Sequence, residues 1–217
     1  MDWLLDLLFP PKCPFCRRLL DSGDVLCPKC QRDLPWTQGA QGEKPVEFLD
    51  SCVSPLWYEG DVRHSHHRYK FSGQCAYADP YSLLMSQCAS DRLDDAFDVV
   101  CWAPLSRKRR RKRGYDQSQL LAVGVAKRLG LPVIPLLDKI RDTPAQSGQT
   151  DAAARRANVL GAYRLHGEGQ VAGKRILLVD DVATTGATLS ECARVLRTAG
   201  AAKICGLVLA IIPERNR

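Results

Sequence analysis

The sequence predicts an α/β fold in which a central, mostly parallel sheet is flanked by helices, with a small cysteine-bearing module in front of it. Three observations carry this prediction. The runs Val99 to Ala103 and Ile176 to Val179 are continuous and apolar, as in strands covered on both faces of a parallel sheet. A third such run, Ile204 to Ile212, returns after a helical pattern, giving a strand-helix-strand unit and hence a parallel pair. Ahead of all of them, Cys13-Pro-Phe-Cys16 and Cys27-Pro-Lys-Cys30 form two matched CxxC pairs.

A chain of 217 residues holds one domain of ordinary size and a small appendage. With 45% hydrophobic and 25% charged residues, it has the composition of a soluble globular protein and not of a disordered one. The net charge of +7 equals the number of residues in one basic run, Arg107 to Arg113, so the positive field is local. Ten cysteines raise the thought of a secreted disulfide scaffold. The first residues, Met-Asp-Trp-Leu-Leu-Asp, lack a basic n-region and a small-residue cleavage site, and no segment reaches the roughly 18 apolar residues of a membrane span. A cytoplasmic location with reduced thiols is the expectation.

In chain order, Trp3, Leu4, Leu7 and Leu8 predict a short amphipathic helix ended by Pro10-Pro11. The two CxxC pairs follow. Each turns tightly enough for both sulfurs to face one ion, and four thiolates satisfy tetrahedral Zn²⁺. A redox role would need only one pair in a thioredoxin-like pattern, so a structural zinc ribbon bound by Cys13, Cys16, Cys27 and Cys30 is predicted. Thr37 to Lys44 reads as a linker, dividing the chain into residues 1–44 and a main domain, 45–217.

Val53 to Tyr58 predicts a strand, and Glu59-Gly60 a turn. His64, His66 and His67 crowd with Arg63, Arg68 and Lys70 but show no metal-ligand spacing, which predicts a surface helix with solvated imidazoles. A helix is expected from Pro80 to Cys88. Cys52, Cys75, Cys88, Cys101, Cys192 and Cys205 show no paired spacing and read as small buried hydrophobes.

The strand at Val99 discharges into a loop with the basic run, whose tail should be solvated and mobile because like charges repel. Asp116 caps a helix with Leu121, Val125 and Leu129 on its buried face and Gly130 as its stop. Val133-Ile134 and Leu136-Leu137 make a short strand region. Lys139 to Asp151 is a polar loop long enough to close over a ligand, Asp151 to Arg156 a helical turn, and Ala162 to Leu165 a further segment.

The centre of the chain is Arg175 to Thr188. Its strand ends on Asp180 and Asp181, two carboxylates too costly to bury without a partner, which hydroxyl groups or a metal would satisfy. Ala183-Thr-Thr-Gly-Ala-Thr188 then leads into a helix with Leu189, Cys192, Ala193 and Leu196 on one face. Free N–H groups at the positive end of a helix make a phosphate site. The Gly-Lys-Ser/Thr ending of a Walker loop is missing.

Val179-Asp-Asp-Val-Ala-Thr-Thr-Gly-Ala-Thr188 resembles the signature of type I phosphoribosyltransferases. With the CxxC pairs, His67-Arg-Tyr-Lys70-Phe71, Pro104-Leu105, Arg113-Gly-Tyr-Asp-Gln-Ser118, Thr143-Pro-Ala-Gln146 and Arg155-Arg-Ala-Asn-Val159, nearly the whole chain looks like a ComF-family, phosphoribosyltransferase-like protein. The resemblance implies a type I phosphoribosyltransferase fold that binds phosphoribosyl pyrophosphate with Mg²⁺. Asp180 and Asp181 would hold the ribose hydroxyls and serve catalysis, Ala183, Thr184, Thr185, Gly186, Ala187 and Thr188 would wrap the 5-phosphate, and Ser106, Arg107 and Lys108 would meet the pyrophosphate. It also implies a role in competence and DNA uptake, with protein partners of that process. The alternative is a non-catalytic module that senses phosphoribosyl pyrophosphate or a nucleotide, and binds single-stranded DNA through the basic loop and the ribbon.

Overall fold

The computed structural model describes residues 11–21, 23–93, 96–142, 157–167 and 171–212. The expected helix at Trp3 to Leu8, the Thr143 to Gln146 piece and the turn at Asp151 to Arg156 lie outside them.

The apolar runs become the predicted strands. β1 (Ser51–Val53), β2 (Leu56–Trp57), β3 (Val99–Trp102), β6 (Arg175–Ala183) and β7 (Lys203–Ile211) form one parallel sheet in the order β1-β7-β6-β3, with β2 also on β7. A separate antiparallel pair joins β4 (Leu137–Lys139) to β5 (Tyr163–Leu165). The single strand expected from Val53 to Tyr58 is two short ones, because Pro55 between them offers no N–H to a ladder.

Each face of the sheet has its own core, set by the alternation of side chains along a strand. Leu177, Val179, Leu207 and Leu209 pack beneath α3 (Ala78–Arg92) and α5 (Gln117–Leu129). Ile176, Leu178, Ile204 and Val208 lie on the other side with α6 (Ala187–Thr198) and Tyr163. α5 carries the predicted Asp116 cap, which accepts from the Gln119 N–H, and ends at Gly130 in the left-handed region.

Three expectations change. The basic run is a helix, α4 (Arg107–Arg113), and not a mobile loop, because Ser106 caps its start and Gly114, at φ 85°, its end. Glu59-Gly60 is not a free turn but the start of α2 (Gly60–Phe71). Thr37 to Lys44 is not an open linker: Arg92 donates to Thr37 Oγ1, the Thr37 carbonyl and the Ser54 carbonyl, and the Lys44 N–H donates to Cys52. Of the six unpaired cysteines, Cys75 is exposed, while the other five are buried as expected.

The amino-terminal module, with its short helix α1 (Pro28–Asp33), shares the first core: Cys13, Phe15, Leu26 and Leu34 belong to the same apolar cluster as Leu177 and Leu207. The sulfurs of Cys13, Cys16, Cys27 and Cys30 all lie within 4.8 Å of one another. Tetrahedral zinc with bonds of about 2.3 Å separates its ligands by about 3.8 Å, so the four thiols fit a closed structural site. No helix among the described residues is long and apolar enough to cross a membrane.

Candidate functional site

β6 runs on past Val179, so Asp180 and Asp181 sit inside the sheet and not at its open end. Both are buried, with 7% and 5% of their surface exposed. Because successive residues of a strand point to opposite faces, the two carboxylates meet different partners.

Asp181 is held by α2. Its Oδ2 accepts from His66 Nε2 at 3.0 Å and from Lys70 Nζ at 3.1 Å, and its Oδ1 from the Val182 N–H at 2.8 Å. Burial alone would raise this carboxyl, but Lys70 and His66 outweigh it and hold Asp181 well below the ordinary carboxylate range. His66 is itself 4% exposed, and its Nδ1 lies 3.0 Å from Tyr58 Oη. Burial pushes the imidazole pKa down, against the pull of Asp181, so a neutral ring that donates from Nε2 and accepts from Tyr58 satisfies every group in the chain.

Asp180 faces the other way. Its Oδ1 accepts from Ser118 Oγ at 2.8 Å and from the Asp181 N–H at 2.8 Å. Burial, reinforced by the charge on Asp181, pushes its carboxyl up to about 7, with the Ser118 bond opposing. Two neighbouring acids thus differ in character because one has cations against it and the other a hydroxyl.

The loop after β6 is bent by Gly186, at φ 75°, where an added Cβ would also meet Val46 Cγ2 at 2.8 Å. α6 starts at the next residue, Ala187, whose N–H reaches Thr185 Oγ1 at 3.4 Å. The N–H groups of Thr184, Thr185 and Gly186 have no acceptor among the described residues. Such a row of donors at the head of a 12-residue helix is suited to an anion.

At its start the basic helix has no bond to either acid, while the charge of Asp181 reaches its last residue, Arg113. Ser106 is buried and spends its hydroxyl on Asp142 Oδ1, at 2.7 Å, while capping Arg109; Arg107 and Lys108 are exposed. Arg113, at the other end, is half-buried like Arg109; it donates to Gln117 Oε1 and lies 5.2 Å over the Phe71 ring. Two surface grooves are bordered by α1 with Glu59 to Asp61, about 420 Å³, and by Arg107, Arg110, Arg111 and Gly114, about 470 Å³. Neither is lined by the acids or by residues 183–188.

The structure therefore brings Asp180, Asp181 and the Thr-Thr-Gly loop together and leaves Ser106, Arg107 and Lys108 without a bond to either acid. Sequence reasoning missed His66 and Lys70 as site residues, treating the histidines as solvated. The available signal was their spacing: i and i+4 on one helix, on the same side as buried Val62 and Tyr69.

Comparison with known proteins agrees with this architecture. Residues 116–216 match the phosphoribosyl transferase domain, and residues 4–41 the double zinc ribbon domain. Competence protein F of Haemophilus influenzae is 35% identical over 89% of this chain and 93% of its own length. The DNA utilization protein YhgH of Escherichia coli is 30% identical over 88% and 86%, and competence protein ComFC of Streptococcus pneumoniae 27% identical over 82% and 77%. With four clustered thiols in a zinc ribbon and a parallel sheet that carries paired acids just before a phosphate-type loop, this chain belongs to the ComF family of phosphoribosyltransferase-like proteins.

Proposed function

We propose that this protein binds phosphoribosyl pyrophosphate and transfers or releases its phosphoribosyl group, in a role allied to the competence and DNA-utilization functions for which its relatives are named. The observation that carries the reading is the pairing of three unengaged N–H groups at Thr184, Thr185 and Gly186 with two buried acids on the strand just before them. The 5-phosphate takes the N–H groups, with the Thr188 hydroxyl at the first turn of α6, and the ribose hydroxyls take the acids.

In this reading Asp181, kept ionised by Lys70 and His66, accepts a ribose hydroxyl and places negative charge near C1. The C1–O bond to pyrophosphate breaks, its electron pair leaves with the pyrophosphate oxygen, and the lone pair of a nucleophile forms the new bond. Negative charge beside the oxocarbenium-like transition state lowers the barrier. Mg²⁺ arriving with the ligand would be held by carboxylate oxygens, the hard donors it takes, and would supply charge to offset that of the leaving group. The cationic residues nearest the strand end, Arg107 and Lys108, are the partners proposed for the pyrophosphate. His66 and Lys70 both lie on Oδ2, whereas Oδ1 takes the Val182 N–H, so in this reading the sugar hydroxyl is accepted at Oδ1 while the two donors stay in place.

The direct test is titration calorimetry of phosphoribosyl pyrophosphate into the protein, with and without Mg²⁺, for wild type and Asp181→Asn. Binding that needs Asp181 supports the reading; equal heats for the two proteins exclude it. A second reading is favoured by α4, whose exposed arginines border a groove: a site for single-stranded DNA held through phosphates. DNA binding that survives Asp181→Asn and drops when Arg109, Arg110 and Arg111 are neutralised separates this activity from the first.

A further inference from the structure

One helix touches both chemical centres of the molecule. On α2, Ser65 Oγ donates to the Pro14 carbonyl and accepts from Tyr81, while Arg68 Nη2 donates to the carbonyls of Pro14 at 2.9 Å and Phe15 at 2.7 Å. Pro14 and Phe15 are the two residues between Cys13 and Cys16, so a metal on the thiols fixes where those carbonyls point. Phe15 is anchored as well, with its ring 5.5 Å from that of Tyr81. Arg68 keeps this position although its buried Nε has no hydrogen-bond partner among the described residues.

The same helix carries His66 and Lys70, which meet Asp181 at 3.0 Å and 3.1 Å. Tyr69, between them in the turn, donates to the Gln117 carbonyl at 2.8 Å, one residue before the Ser118 that holds Asp180. Five residues of one helix therefore hold the metal knuckle, Asp181 and the support of Asp180. A helix is stiff over so short a span, so a shift at residues 65 and 68 reappears at 66 and 70. A displacement of about 1 Å is enough to break contacts of hydrogen-bond length.

We propose that Ser65 and Arg68 are positioning residues, through which the zinc knuckle seats α2 and so fixes His66 and Lys70 against Asp181. The ribbon is then part of the sugar-phosphate site, and loss of its metal weakens ligand binding without any contact between ribbon and ligand. The inference rests on the phosphoribosyl reading for its ligand readout, and on the imidazole of His66 for a readout that needs no ligand.

The test compares the full, zinc-loaded wild type with the Ser65→Ala, Arg68→Met double variant. Zinc content, affinity for phosphoribosyl pyrophosphate by calorimetry, and the His66 ring-nitrogen signals in isotope-labelled protein are read before and after a chelator removes the metal. The double variant is expected to keep its zinc, to bind about tenfold more weakly and to show displaced His66 signals. Chelation should bring the same changes to wild type and add little in the variant, because the link is already cut. A zinc-loaded variant with wild-type affinity and wild-type His66 signals overturns the proposal. So does a variant that has lost its zinc, since the contacts then hold the ribbon and not the helix.

Where wild type binds no phosphoribosyl pyrophosphate but its His66 signals move on chelation, the phosphoribosyl reading fails and the positioning link stands. Where the double variant does not fold, Arg68→Lys, which keeps one donor, takes its place and should fall between the two. Wild-type behaviour there overturns the proposal equally.

Discussion

Asp180 and Asp181 show how neighbours on one strand acquire opposite chemistry. Asp180, pushed up to about 7 in the fold from 3.8, binds its proton more tightly folded than unfolded. Its contribution to stability is therefore complete below about pH 4 and is lost as pH rises toward about 7. Compared with wild type, Asp180→Asn should gain stability across that window, which denaturant midpoints at several pH values will show. Asp181 and His66, both lowered, act in the opposite sense, and their stabilisation is lost as pH falls. At the loop, Gly186→Ala forces a side chain into the left-handed region against Val46 and should weaken phosphoribosyl pyrophosphate binding roughly tenfold by calorimetry, from strain of about 1–3 kcal/mol. The paired acids and the glycine were legible because each is a local pattern. The His66 contact was not, since its partner is 115 residues away, and the spacing that puts His66 on the side of Val62 and Tyr69 does not name what that side will meet.

Among the elements, α4 shows a local rule overruled by another. Seven like charges argue against a helix, yet Ser106 and Gly114 are readable start and stop signals, and the caps won. The long strands were legible from apolar runs alone, whereas the division of β1 from β2 turned on Pro55, and the packing of Thr37 to Lys44 on an arginine from α3. The ribbon's knuckle is tied to the main core by Phe15, which is 1% exposed. Phe15→Ala should cost about 3–5 kcal/mol, seen as an earlier single denaturation transition and not as separate melting of the ribbon.

For the molecule as a whole, the sheet and its zinc module were both readable in advance, but their shared core was not, because composition cannot say which apolar surfaces meet. That core predicts the response to metal removal: chelation should lower the melting temperature of the entire chain in one calorimetric peak, where an independent ribbon would give two. The sheet order carries a further implication for biosynthesis. β7, the last strand of the sheet to be synthesised, lies between β6 and the first strands, with Ser51 opposite Cys205. While the ribosome is still making residues 203–211, the nascent sheet has a gap at its middle, and β1 and β2 have no edge to join. Folding must wait for nearly the whole described chain to emerge, so stalled or prematurely ended translation before β7 should yield protease-sensitive products that chaperones hold, and no half-sized folded core.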